Sequence, residues 1–240
     1  MTEKLRIHYC QHVPFESCGA VAVWAAEEGH TLSRSALYAG EPLPPLDVID
    51  MLVIMGGPMN IYEEGRYPWL GDEKRYIRAA IEADKYVLGI CLGAQMIADV
   101  LGGSVFKNEE QEVGWFPVRV LNKTRENPLR QLPDTFECFH WHGDTFSVPE
   151  GACHCAKSKV CRNQAFSYNG GRTLALQFHL EMTQDGLARI YQECGNGLVD
   201  THSVQTFPRA QQKNGLIRET HKYFFNVLNM ITNTEQRGML

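Results

Sequence analysis

The sequence predicts an α/β protein, with an open, mostly parallel sheet that carries helices on both faces and continues into a smaller antiparallel strand region. Three observations predict it. Short apolar runs alternate with helical stretches as far as residue 101, an order that implies parallel strands and right-handed crossovers. From Gly103 the pattern changes to shorter strands, two of them joined by Asn169-Gly170-Gly171, a strong hairpin turn. Two of the early apolar runs also end at Gly56-Gly57 and at Cys91, and sheets of this kind bind ligands beyond the C-terminal ends of their strands.

Residues 5–10 read as the first strand. Residues 16–29 have the apolar content of a helix, in Ala20, Val21, Val23, Trp24 and Ala25, with Gly29 as its stop. Residues 31–37 make a short second strand. Glu41-Pro42-Leu43-Pro44-Pro45 is a loop, because consecutive prolines permit neither a helix nor a central strand. Residues 51–55 are a buried third strand running straight into Gly56-Gly57-Pro58. Residues 62–69 form a polar and aromatic surface loop, whose Tyr62, Tyr67 and Trp69 suit either a site mouth or ordinary surface packing. A helix follows over 72–83.

Past Gly103, strands are expected at 104–107, 115–121, 135–141, 152–156, 164–168 and 172–178. Residues 183–193 return to helix with Thr183 as N-cap. Residues 195–214 are polar and irregular, and 216–230 form an amphipathic helix that suits packing on its own domain or an interface. Without repeat or linker, the sequence reads as one domain over residues 1–240, with a core at 5–193 and a C-terminal extension at 194–240.

A hydrophobic fraction of 44% and a charged fraction of 21% are those of an ordinary folded chain. Twenty-three basic against 28 acidic residues leave a net charge of −5, which argues against nucleic acid as a partner. No apolar run approaches the roughly 20 residues that span a bilayer, so no membrane role is expected. Met1 to Arg6 is charged and does not read as a signal peptide. Eight cysteines spread through such a chain point to reduced thiols and a cytoplasmic location.

The stretch 85–103 organises the rest. Lys85 to Ile90 has the look of a buried parallel strand, and Leu92, Met96, Ile97, Val100 and Leu101 resume at once with helical spacing. Cys91 stands at the turn between them, flanked by Gly89 and Gly93, small neighbours that a sharp elbow tolerates. A helix N-terminus beside the sulfur favours thiolate, the attacking form.

Such a nucleophile needs a base, and the base a third group to hold its tautomer. Of nine histidines, His179 stands out, because Leu174-Ala175-Leu176-Gln177-Phe178 is a buried strand ending at His179-Leu180-Glu181. Residues two apart on a strand point the same way, so Glu181 can orient His179 while His179 faces the sulfur.

Gly89-Ile90-Cys91-Leu92-Gly93-Ala94-Gln95, Gly56-Gly57-Pro58 and Phe178-His179-Leu180-Glu181 together resemble class I, triad-type glutamine amidotransferases, in particular the amidotransferase portion of GMP synthases and its stand-alone relatives. The resemblance covers residues 5–193 and implies a flavodoxin-like class I fold. It also implies hydrolysis of the glutamine side-chain amide through a Cys91 thioester, with His179 and Glu181 completing a triad. It places the oxyanion on backbone N–H groups of Gly57 and Leu92, and puts Gly56 and Gln95 in the substrate pocket. Trp141-His142-Gly143-Asp144 resembles the family's His-Gly-Asp segment, which implies substrate contacts for His142 and Asp144. Read from the residues alone, Asp144 after Gly143 is a turn residue, although a fixed negative charge suits the substrate's ammonium.

Ala94 departs from the family, standing where many members carry histidine, a difference that bears on acceptor coupling rather than on amide hydrolysis. No synthase domain is legible here, which leaves either an amidotransferase whose acceptor is a separate synthase subunit or a glutaminase without an acceptor. Two other readings use the same scaffold: hydrolysis of a γ-glutamyl peptide or compound, and a regulatory or binding subunit without catalysis. The protease- and chaperone-like families with a cysteine elbow have histidine directly after the nucleophile, where this chain has Leu92. Cys153-His154-Cys155 with Cys161 lacks the usual knuckle spacing for zinc, and burial explains it. No metal and no cofactor are expected. Cys10, Cys18, Cys138 and Cys194 read as structural, and His8 and His12 as solvated or locally hydrogen-bonded.

Overall fold

The computed structural model describes residues 4–232; residues 1–3 and 233–240 of the expected domain lie outside the described residues. In chain order the elements are β1 (Arg6–Gln11), α1 (Ala20–Glu28), β2 (Thr31–Ala36), β3 (Met51–Ile54), α2 (Trp69–Glu82), β4 (Tyr86–Ile90), α3 (Leu92–Val100), β5 (Val105–Val120), β6 (Thr135–Phe146), β7 (Cys153–Lys157), β8 (Ala165–Tyr168), β9 (Thr173–Leu176), α4 (Gln184–Cys194), α5 (Phe207–Ala210) and α6 (Leu216–Thr232). The strands form one sheet in the order β2-β1-β3-β4-β9-β8-β7-β5-β6. The first five in that order run parallel, and β9, β8, β7, β5 and β6 continue it antiparallel.

Every residue of β3 and of β9 is buried, as strands covered on both faces must be. Alternation sorts them. Met51 and Val53 face a layer built from Trp24 and Ala25 of α1 with Phe224, Val227 and Leu228 of α6. Leu52 and Ile54 face the opposite layer, built from Ile77 of α2 and from Met96, Ile97 and Val100 of α3. A third cluster joins Val113, Trp115 and Phe139 of the β5–β6 ribbon to Leu187, Ile190 and Tyr191 of α4. Helix α6 packs on its own sheet, pinned where Trp24 Nε1 donates to Asn229 Oδ1 at 2.9 Å. Among the described residues no helix is long and apolar enough to cross a membrane.

Several boundaries differ from the sequence expectation, for local reasons. The first helix starts at Ala20 rather than residue 16, because Gly19 takes φ 50° and the Ala20 N–H leaves to donate to Glu181 O at 2.9 Å. Residues 16–19 are therefore loop, laid against the segment that follows β9. The expected strands 104–107 and 115–121 are one strand, β5, with a register shift between Lys107 and Glu112. Strand β6 runs on to Phe146, so Gly143 and Asp144 belong to a strand and not to a turn, and Asp144 pairs across to Lys107. Within 195–214, Val204 makes a bridge to Val113 and α5 forms a short helical turn. The Thr183 N-cap is as expected, its side chain accepting from Gly186 N at 3.0 Å.

Candidate active site

Cys91 sits between β4 and α3 at φ 54°, ψ −105°. That positive-φ conformation costs a non-glycine residue on the order of 1–3 kcal/mol. Its backbone is held on both sides: Cys91 N donates to Leu176 O at 2.8 Å, and Cys91 O accepts from Gln95 N at 3.2 Å. The flanking glycines are required by space. A Cβ on Gly89 would lie 2.5 Å from the Gly93 carbonyl, and one on Gly93 would collide with the carbonyl of Ile54.

Strand β9 ends at Leu176, yet the chain stays anchored because His179 N donates to Phe139 O at 2.8 Å. The His179 ring is buried, and its Nδ1–H donates to Glu181 Oε1 at 2.6 Å. Burial works against an imidazolium here. The charge of Glu181, the hydrogen bond to it and the neighbouring Cys91 outweigh it, so His179 titrates well above its ordinary value; its Nε2 has no hydrogen-bond partner among the described residues. His179 and Cys91 flank one point: a Cβ on Gly56 would lie 3.5 Å from His179 Cε1 and 3.6 Å from Cys91 Cβ. The Cys91 thiol also reaches the carbonyl of Trp141 at 3.5 Å.

The Gly56-Gly57 turn is propped from below by a pair of residues that no sequence pattern connects. His12 Nδ1 donates to Gly56 O at 3.0 Å, and His12 Nε2 donates to the Glu73 carboxylate at 2.9 Å. Both side chains are fully buried. Burial opposes the His12 charge, but Glu73 outweighs it and holds the imidazole above its ordinary pKa. Neither His12 nor His8 is solvated; His8 is buried against Ser33 and Ser35. Gly57 lies against Leu92, with room for no side chain between Leu92 and His12.

A cavity of about 320 Å³ opens in front of Cys91, lined among others by Gly57, Gln95, His142 and Asp144. Asn60 Nδ2 donates to Asp144 Oδ2 at 2.9 Å, and Gln95 Nε2 donates to Gln177 Oε1 at 3.2 Å. His142 lines the wall while its ring nitrogens are engaged behind it. Nδ1 donates to Asp144 O at 3.1 Å, and Nε2 lies 3.4 Å from Glu112 Oε2. That Glu112 oxygen also accepts from Ser158 Oγ at 2.9 Å and lies 3.4 Å from His140 Nδ1. Burial opposes the Glu112 charge, yet the two histidines and these hydrogen bonds hold its carboxyl below the usual range. Burial takes His140 down to about 4. The carboxylate is thus a buried acceptor hub that fixes β5 to β6 behind the cavity.

The nine sequence-selected residues (Cys91, His179, Glu181, Gly56, Gly57, Leu92, Gln95, His142 and Asp144) therefore gather at one end of the sheet, with His142 turned partly away. Glu73 had a legible signal: it falls on the apolar stripe of α2 with Leu70, Ile77, Ala80 and Ile81, where a carboxylate must find a buried partner. Glu112 and Glu16 had none, since a register shift and a loop deliver them. Among the described residues, Cys153, Cys155 and Cys161 do not converge as a ligand set; Cys155 Sγ donates within its own strand to Cys153 O.

The family model described as glutamine amidotransferase class-I matches residues 34–191. The glutamine amidotransferase-like protein YfeJ of Salmonella typhimurium is 35% identical over 201 residues, 82% of this chain and 84% of that protein. One subunit of the glutamine-hydrolyzing GMP synthase of Thermoplasma acidophilum is 36% identical over 144 residues, 59% of this chain and 68% of that one. A crystal structure of a glutamine amidotransferase from Thermotoga maritima superimposes with a TM-score of 0.87 at 29% identity, covering 97% of this chain and all of that one. With most of its length matched by the family model and by a relative of similar size, this chain belongs to the class I glutamine amidotransferases.

Proposed function

We propose that this chain hydrolyses the side-chain amide of glutamine through a thioester on Cys91, releasing glutamate and supplying ammonia to an acceptor enzyme on another chain. The observation that carries the reading is the 2.6 Å hydrogen bond that Glu181 makes to a buried imidazole whose Nε2 is left unpartnered, in a chamber that this imidazole shares with a cysteine at a strained strand-to-helix corner. With the proton of the pair already on His179 Nε2, Cys91 Sγ attacks the γ-carbonyl. The oxyanion forms between the N–H groups of Gly57 and Leu92. His179 returns the proton to the leaving nitrogen, ammonia departs, and His179 then activates the water that cleaves the thioester. Glu181 keeps His179 in the required tautomer throughout. In the 320 Å³ cavity the Asp144 carboxylate, steadied by Asn60, takes the substrate ammonium, and Gln95 and Gly56 complete the wall.

The chain acts in this reading as one amidotransferase domain. A separate acceptor fits the Thermoplasma relative, which is itself named as a subunit. All eight cysteines are free, in keeping with a reducing compartment such as the cytoplasm.

Purified protein incubated with glutamine is expected to release glutamate. Cys91→Ala is expected to lower the rate at least about 10³-fold. A wild-type protein that releases no glutamate from glutamine, with or without candidate acceptor subunits, overturns the reading.

A further inference from the structure

A second, much smaller chamber of about 30 Å³ lies beside the main cavity, walled among others by Glu16, Cys91, His179, Trp141, Ile190 and Cys194. Gly57, Pro58, Cys91, Trp141 and Cys194 line both spaces. Gln95 and Asp144 line only the large one, and Glu16 and His179 only the small one. The two spaces meet along these shared residues at the sulfur, with room for an amino acid on one side and for one or two molecules the size of ammonia or water on the other.

Glu16 comes from the loop before α1. Its Oε2 sits over Gly56, so that a Cβ there would collide with it while touching His179 Cε1 and Cys91 Cβ. The carboxyl is thus beside both members of the Cys91–His179 pair, and among the described residues no hydrogen bond engages it. It interacts through space with His179, His12 and Glu181, and burial pushes its carboxyl above the usual range. Thioester formation and hydrolysis by the triad leave it without a task.

Resting on that mechanism, we propose that this chamber is the leaving-group site, that it admits a primary amide nitrogen and excludes an amino acid, and that Glu16 is the specificity residue that hydrogen-bonds the nitrogen. The chemistry dictates the side. The leaving nitrogen must meet His179, because His179 Nε2 gives it a proton as the C–N bond breaks, the bonding electron pair stays on nitrogen, and the carbonyl re-forms over the C–S bond. Only the small chamber offers His179 as a wall. One N–H of the amide then points to Glu16, which holds the freed ammonia. The water of the second half-reaction must give its proton to the same Nε2, so it enters the same space against the same carboxyl. The substrate class that follows is an unsubstituted γ-carboxamide, and γ-glutamyl peptides are poor substrates because their amine outgrows the chamber.

The test compares wild type, Glu16→Gln and Glu16→Ala on glutamine, γ-glutamylmethylamide and γ-glutamylglycine, following free glutamate. For wild type, kcat/KM is expected to fall at least about 10-fold with the added methyl group, and further with glycine. Glu16→Ala, which opens the chamber, is expected to lower kcat for glutamine while shifting the glutamine-to-methylamide ratio at least about 10-fold toward the methylamide. Glu16→Gln keeps the volume and an acceptor oxygen, so it keeps the selectivity. Ile190→Ala enlarges the same chamber from α4 and supplies the volume test should Glu16→Ala fail to fold. Wild-type rates equal on all three substrates, or Glu16 variants that raise KM alike for all with no change of ratio, overturn the leaving-group site while leaving glutamine hydrolysis in place. No glutamate from any substrate removes both.

Discussion

Cys91 occupies a backbone conformation that its own side chain disfavours, with Gly89 and Gly93 cleared of side chains so that the corner can close. The strain is stored at the corner that carries the proposed nucleophile. Cys91→Gly is therefore expected to abolish glutamate release and yet to stabilise the fold by about 1 kcal/mol, since glycine adopts φ 54° freely. For a chain of this size that is a rise in Tm of about 2–4 °C in a thermal melt; an unchanged or lower Tm speaks against stored strain. His179 and Glu181 test the other half of the pair. Of the influences that oppose burial and raise the His179 pKa, the Glu181 charge is the largest. Glu181→Gln keeps the size but not the charge, so the His179 resonance in an NMR titration is expected to move to lower pH, with kcat falling about 10²–10⁴-fold.

At the scale of elements, α2 supports the glycine turn from a distance through Glu73 and His12. Glu73→Leu leaves a buried imidazole facing leucine and is expected to cost about 3 kcal/mol in denaturant unfolding, with a loss of kcat as the Gly56-Gly57 turn loosens. Glu73→Gln, which still accepts from His12, is expected to recover part of both. Full stability in Glu73→Leu would show that the pair is not a support. These elements also show what a sequence can disclose. The parallel strands were legible from apolar runs of the right length, and the elbow from one cysteine between two glycines, because each is a local pattern. His179 and Glu181 were legible because they sit two residues apart at the end of such a run. The loop of residues 16–19 was not, since its apolar neighbours continue a helical pattern that only the donation of Ala20 N to Glu181 O interrupts. The single long β5 was hidden for a similar reason: its irregular register to β6 breaks the period-two alternation that marks a strand.

Across the whole molecule, buried histidines of two kinds bracket the pH range of stability. His8 and His140 are held by burial at about 4, against 6.5 when unfolded. Below pH 6.5 the unfolded chain takes up protons that the folded one refuses, so their contribution is present above pH 6.5 and is lost as pH falls toward 4. His12 and His179 are raised instead, so the stability they contribute is full below pH 6.5 and is lost as pH rises through their folded values. Thermal melts across pH are expected to give the highest Tm near neutrality, with an acid limb worth a few kcal/mol between about pH 6.5 and 4. A Tm that holds level down to about pH 4 would contradict the burial of neutral His8 and His140.

The place of β9 in the sheet, hydrogen-bonded between β4 and β8 though it comes nearly last in the chain, bears on how the protein is made. While the ribosome is still adding residues beyond β4, that strand keeps an unpaired edge, and the sheet cannot close until residue 176 has emerged. The same segment then brings His179 and Glu181 with it. A half-synthesised polypeptide thus carries Cys91 without the imidazole and carboxylate that flank it in the finished sheet, and in the function proposed above translation itself delays any turnover until the scaffold is complete.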